Sequence, residues 1–204
     1  MSLSKVKFCG MNSIDLCKFA IEHQVNYLGF IRYSKSPRYI SINFLRELQL
    51  VDFKNTLPVV VFVNPTREEV EEVIAVMPEA ILQFHGEETE AFCNSFKKPY
   101  WKAVGIKEDS ENSLSLGYST AQFILFDTKT DEYFGGVGKP FDWSRLKDMK
   151  SNHYVLAGGI DIKNIHEALK LNPAVIDINS GIECSPGQKS SQLMKELLDV
   201  LKSL

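Results

Sequence analysis

The sequence has little of what marks most specialised protein classes. Its four cysteines, Cys9, Cys17, Cys93 and Cys184, are scattered, with no C-x-x-C pair and no histidine at metal-ligand spacing. Neither a disulfide framework nor a zinc site organises such a chain, no metal is expected, and reduced thiols in a cytoplasmic setting fit best. No apolar run approaches the roughly 18–20 residues of a membrane span. Residues 57–63 form one of the longest, and it stops at Asn64-Pro65. The first seven residues lack the apolar centre of a secretory leader, so none is expected. Lysine and arginine number 23 against 26 aspartate and glutamate, a net charge of −3 with no long basic run. A nucleic-acid or membrane-surface partner is therefore not expected. Linkers, repeats and low-complexity tracts are missing too, which makes residues 1–204 one expected domain. Hydrophobic content of 44% and charged content of 24% are those of a chain that folds.

What the sequence does have is alternation. Short β-rich runs at 6–9, 27–31, 59–63, 80–84, 100–104, 123–126, 154–157 and 175–178 are separated by helical patterns. Several of these runs are apolar on consecutive residues, as strands buried on both faces are. Asn12 or Ser13 caps a first helix towards His23, and Ser41 caps a second over 42–50. Thr66-Arg67-Glu68-Glu69 reads as a capping box before Val70, Val73 and Ile74. Asp161 precedes a helix over 162–171, and Ser190-Ser191 precede an amphipathic one over 193–201. Helical patterns at 87–96, 108–116 and 142–149 are weaker, and the fifth connection reads as short or irregular.

Eight strand–helix units predict an α/β fold, a single compact (β/α)8 TIM barrel. At about 25 residues per unit, against roughly 31 in a typical barrel, few insertions fit. A doubly wound open sheet is the competing fold. No G-x-G-x-x-G follows the first strand, and Gly135-Gly136-Val137-Gly138 lies well after the sixth. Chemistry in a barrel gathers where strands end. Those ends are Cys9-Gly10, Arg32, Asn64-Pro65, residues 83–86, Gly105, Asp127-Thr128, Gly158-Gly159 and Asn179-Ser180-Gly181. One thiol and one carboxylate there are candidates for proton transfer. The glycine-rich turns after strands seven and eight are where barrels hold phosphate on backbone N–H groups.

The same residues carry a family resemblance. Lys7-Phe8-Cys9-Gly10-Met11, Leu28-Gly29-Phe30 with Ser36-Pro37-Arg38, and Leu82-Gln83-Phe84-His85-Gly86 resemble successive signatures of the phosphoribosylanthranilate isomerases. Phe126-Asp127-Thr128, residues 135–143, residues 156–160 and residues 177–183 continue the series, in order, over nearly the whole chain. Family members usually carry Thr where this chain has Val137 and often Ser where it has Asn179, and the loop over 127–135 is short.

The resemblance implies a cofactor-free Amadori rearrangement in tryptophan biosynthesis. N-(5-phosphoribosyl)anthranilate becomes 1-(2-carboxyphenylamino)-1-deoxyribulose 5-phosphate. By match to the family motifs, Asp127 is the acid that opens the ribose ring and Cys9 the base that takes the C2 proton. Arg38 grips the anthranilate carboxylate, and Gln83 and His85 are further substrate contacts. Gly158, Gly159, Asp177, Asn179, Ser180 and Gly181 are the phosphate-binding candidates. The expected partner is thus one small phosphorylated substrate, the protein itself being a monomer or a homodimer.

Neither catalytic candidate suits its role at its ordinary pKa. A free thiol near 8.5 is about 3% ionised at neutral pH, and a free aspartate near 3.9 is almost wholly ionised. Cys17 and Cys93 read as helix-face filler, while His23, His153 and His166 read as structural or solvated. Two other readings compete. The related histidine-pathway isomerases place an aspartate at the position of Cys9 and run longer. A barrel that binds a phosphorylated ligand or a partner protein without catalysis is the third.

Overall fold

A computed structural model of the protein describes residues 4–106, 117–128, 142–146 and 153–203. Eight parallel strands form a closed ring: β1 (Lys5–Phe8), β2 (Tyr27–Ile31), β3 (Leu57–Phe62), β4 (Ile81–Phe84), β5 (Tyr100–Ile106), β6 (Phe123–Thr128), β7 (Tyr154–Leu156) and β8 (Val175–Ile178). Each pairs with the next, and β8 closes on β1 with Lys5 opposite Val175 and Phe8 opposite Ile178. Strand alternation divides the side chains into two cores. Phe8, Leu28, Phe30, Val60, Phe62, Leu82, Phe84, Phe126, Leu156 and Ile176 point outward into the layer beneath the helices. Tyr27, Val59, Ile81, Trp101, Leu125, Val155 and Val175 fill the interior. The interior is packed, so a polar group there must find partners inside the ring.

The helices are α1 (Ile14–Glu22), α2 (Ile42–Leu48), α3 (Arg67–Val76), α4 (Glu90–Asn94), α5 (Ile165–Lys170) and α6 (Ser191–Lys202). Side-chain oxygens of Ser13, Ser41, Thr66, Thr89 and Ser190 each accept a first-turn backbone N–H, and Thr66 with Glu69 completes the expected capping box. One start differs. Asp161 closes a turn of its own, accepting from the N–H of Lys163 and donating its own N–H to Asn164 Oδ1. The helix therefore begins at Ile165 instead of 162.

After β8 comes a feature the sequence did not announce. A short 3-10 turn, Ser180–Ile182, leads into an antiparallel hairpin of β9 (Glu183–Ser185) and β10 (Gln188–Lys189). Asn12, on the loop after β1, ties to it by donating to the carbonyl of Gly187 at 2.8 Å. The fifth connection at 108–116 and Val137 lie outside the described residues. In place of the pattern at 142–149, the described part holds a 3-10 turn, Trp143–Leu146.

Candidate active site

At the carboxyl end of the strands the apolar interior gives way to a polar layer. Lys7, on β1, is completely buried and points into the ring. Its Nζ meets one acceptor for each of its three protons: Gln83 Oε1 at 2.8 Å, Asp177 Oδ2 at 2.8 Å and Cys9 Sγ at 3.4 Å. Beneath it, the Trp101 ring lies 5.6 Å away. Cys9 sits one residue beyond β1, buried against Ile31 and Val61 and held by its N–H on the carbonyl of Ile178.

From Gln83 the chain of bonds continues across the mouth. Because Gln83 Oε1 takes the lysine, its Nε2 donates to His85 Nδ1 at 3.1 Å. The neutral ring then carries its proton on Nε2, which faces Asp127 Oδ2 at 3.3 Å. Asp127 Oδ1 accepts the N–H of Thr128 at 2.7 Å. Cys9 on one side and Asp127 on the other are thus the ends of one chain of polar contacts, hydrogen bonds through Lys7, Gln83 and His85 and a 3.3 Å approach of the imidazole to the Asp127 carboxylate.

Asp177 belongs to this layer rather than to the glycine turns. Its carboxylate faces Lys7 inside the ring, where burial and the Asp127 charge push it above the ordinary carboxylate range while Lys7 pulls it down. Its Oδ1 is buried with no hydrogen-bond partner among the described residues. Of the phosphate-binding candidates, Asp177 is the one whose carboxylate faces Lys7 inside the ring. Gly158 and Gly159 both adopt the left-handed backbone that glycine takes without strain. The turn over Ser180 and Gly181 abuts theirs: a Cβ on Gly181 would come within 2.9 Å of Asp161 Cα.

Around Cys9 the cations outnumber what the sequence suggested. Arg38 lays its Nε and Nη2 on the two carboxylate oxygens of Glu183, both at 2.7 Å. Lys189, from β10, reaches the same Glu183 at 2.8 Å and both the carbonyl and Oδ1 of Asn179 at 2.9 and 2.7 Å. Burial works against the Glu183 carboxylate, yet the bonds from Arg38 and Lys189 hold it below its ordinary value. The Cys9 thiol is pushed up by burial and by the Asp177 charge, with Lys7 and Lys189 pulling it down. Cys17 and Cys93 are buried on α1 and α4, where burial pushes both thiols up to about 12. Cys184 is exposed on β9. Among the described residues no three His, Cys, Asp or Glu side chains gather as metal ligands, and no helix is long and apolar enough to cross a membrane.

Sequence reasoning named Cys9, Gln83, His85 and Asp127 and passed over Lys7, Glu183 and Lys189. A lysine inside the N-terminal motif was a signal available for Lys7. The hairpin residues had none.

Known proteins resemble this chain over nearly its whole length. The family model described as N-(5'phosphoribosyl)anthranilate (PRA) isomerase matches residues 6–200. The N-(5'-phosphoribosyl)anthranilate isomerase of Hahella chejuensis is 34% identical over 198 residues, 95% of this chain and 92% of that one. Phosphoribosyl anthranilate isomerase from Thermus thermophilus superposes with a TM-score of 0.87 at 28% identity, covering 98% of each chain. A phosphoribosyl anthranilate isomerase in complex with reduced 1-(o-carboxyphenylamino)-1-deoxyribulose 5-phosphate superposes with a TM-score of 0.84 at 29% identity, covering 99% of this chain and 100% of the other. The chain belongs to the N-(5'-phosphoribosyl)anthranilate isomerase family, and it is an isomerase of the phosphoribosylanthranilate reaction in tryptophan biosynthesis.

Proposed function

We propose that Asp127 and Cys9 divide the proton work of this isomerisation, turning N-(5-phosphoribosyl)anthranilate into 1-(2-carboxyphenylamino)-1-deoxyribulose 5-phosphate. The observation that carries the reading is the chain joining the two groups across the barrel mouth. Asp127 delivers a proton to the ribose ring oxygen as the bond from C1 to that oxygen breaks, and the lone pair of the anthranilate nitrogen forms a C1=N double bond, giving a protonated imine. The Cys9 thiolate takes the C2 proton, the C–H electron pair becomes a C1=C2 double bond, and the C=N pair returns to nitrogen to give an enolamine. Tautomerisation of the enolamine gives the ketone. His85, its tautomer set by Gln83, presents an N–H to the carboxylate that Asp127 becomes.

Binding follows from charge. The backbone amides around Gly158, Gly159, Ser180 and Gly181 offer donors to the phosphate, with Asn179 beside them. The unpartnered Oδ1 of Asp177 is suited to accept from a substrate hydroxyl. Glu183 occupies the Nε edge of Arg38, which leaves the outer edge for the anthranilate carboxylate.

The test is a turnover assay that follows loss of phosphoribosylanthranilate fluorescence, with Asp127→Asn beside the unaltered enzyme. A positioned acid typically contributes 10²–10⁴-fold, so Asp127→Asn should lose about that much. Combined with Cys9→Ala it should lose less than the product of the two single losses, since residues in one mechanism are not additive. Full turnover by Asp127→Asn would refute the assignment of the acid.

A further inference from the structure

The geometry points to Lys7 as a positioning residue that holds the Cys9 sulfur at the end of β1 and supplies the charge against which its thiolate forms. This deepens the reading of Cys9 as the base and rests on it. An ammonium ion with no exposed surface needs three acceptors, and Lys7 has three within the ring. Two of them, Gln83 Oε1 and Asp177 Oδ2, lie at 2.8 Å and fix where the nitrogen sits. The third is the sulfur at 3.4 Å, a contact a neutral thiol accepts weakly and a thiolate strongly. Burial would favour a neutral amine, but Asp177 and Cys9 outweigh it and hold Lys7 protonated.

Other charges face the sulfur as well. Lys189 from β10 and Arg38 from the loop after β2 are cations near it, and Asp177 from β8 is an anion. Asp127 and His85 bear on Asp177 from β6 and from the end of β4. Lys7 differs from the other two cations. Of these three cations it is the one that hydrogen-bonds the sulfur, whereas Arg38 and Lys189 are both committed to Glu183.

The ion pair of Lys7 with Asp177 allows a test that a scaffold role would fail. The Cys9 thiolate is titrated by its ultraviolet absorbance, as the difference from a Cys9→Ala protein, in the full-length enzyme and in two variants. Lys7→Met removes the cation and should move the midpoint up by at least one pH unit, a tenfold loss of thiolate at a given pH. Asp177→Asn leaves the cation without its carboxylate and should move the midpoint down. Opposite shifts from the two halves of one ion pair support the assignment. Shifts in the same direction, or none, overturn it. If Lys7→Met does not fold, Lys7→Gln, which keeps a hydrogen-bond donor without the charge, takes its place with the same upward shift expected, and no upward shift overturns the assignment. The pH profile of kcat separates the two layers of the argument. A thiol midpoint that moves without the activity profile following keeps Lys7 as the group that charges Cys9 and overturns Cys9 as the base.

Discussion

Among the described residues, side-chain partners hold the guanidinium of Arg38 on one edge, at Glu183. Glu183 fixes its plane and costs the substrate one bidentate surface while leaving another. Truncating the side chain should therefore remove a charge-assisted contact of about 1.5–3 kcal/mol, or roughly ten- to 150-fold in kcat/KM. The loss should fall mainly on KM, read from initial rates of Arg38→Ala at varied phosphoribosylanthranilate, and an unchanged kcat/KM would take Arg38 out of the site. Lys7 shows the limit of residue-level reading. On a strand, a lysine between Val6 and Phe8 looks like the polar, outward half of an alternating pattern. In a closed barrel the face opposite the helices is the interior, so that lysine is the most enclosed charge in the site. Cys9 and Asp127 were legible because a strand end needs no knowledge of its partners.

Two small elements hold the mouth in shape. One is the loop after β4, where the buried pair of Lys102 and Glu88 sits at 3.0 Å. Glu88 also collects the N–H groups of Asn64 and Gly86, and Lys102 donates to the carbonyl of Gly86 at 2.7 Å. This clamp fixes the chain just beyond His85. Removing one partner of such a pair costs about 3–5 kcal/mol, so Lys102→Met should lower the unfolding free energy by that order in denaturant titration. A loss below 1 kcal/mol would mean the clamp is dispensable.

The other element is the β9–β10 hairpin. Its Glu183 is held below the ordinary glutamate value near 4.3, so its bonds to Arg38 and Lys189 stabilise the fold above that pH. The contribution fades as pH falls through the lower native value. Thermal unfolding should show Glu183→Gln less stable than the unaltered protein at neutral pH, with the gap closing below about pH 4. A gap constant across that range would contradict the linkage. Strands of three and two residues around Pro186-Gly187, with one cysteine among polar neighbours, carry no apolar alternation, which is why the hairpin was silent in the sequence.

At the scale of the whole molecule, ring closure makes the site. β6 is the third strand from β1 through β8 and β7, and β4 is the third in the other direction. Only a closed sheet lets Lys7 reach Gln83 across the interior and lets His85 return the chain to Asp127. The eight strands were legible because strands buried on both faces read as short apolar runs, and their order follows from parallel pairing of neighbours. Strand ends shifted by a residue or two, β5 and β6 running on to Ile106 and Thr128, since backbone pairing continues past the apolar run. The chain of contacts across the mouth was not legible, because its Lys7–Gln83 link joins residues 76 positions apart. In the proposed mechanism, turnover depends on the thiol at one end of that chain. Turnover of Cys9→Ala, measured with phosphoribosylanthranilate well above its KM, should fall by about 10²–10⁴-fold while the protein stays folded. Near-full turnover would show that the thiol is not the base.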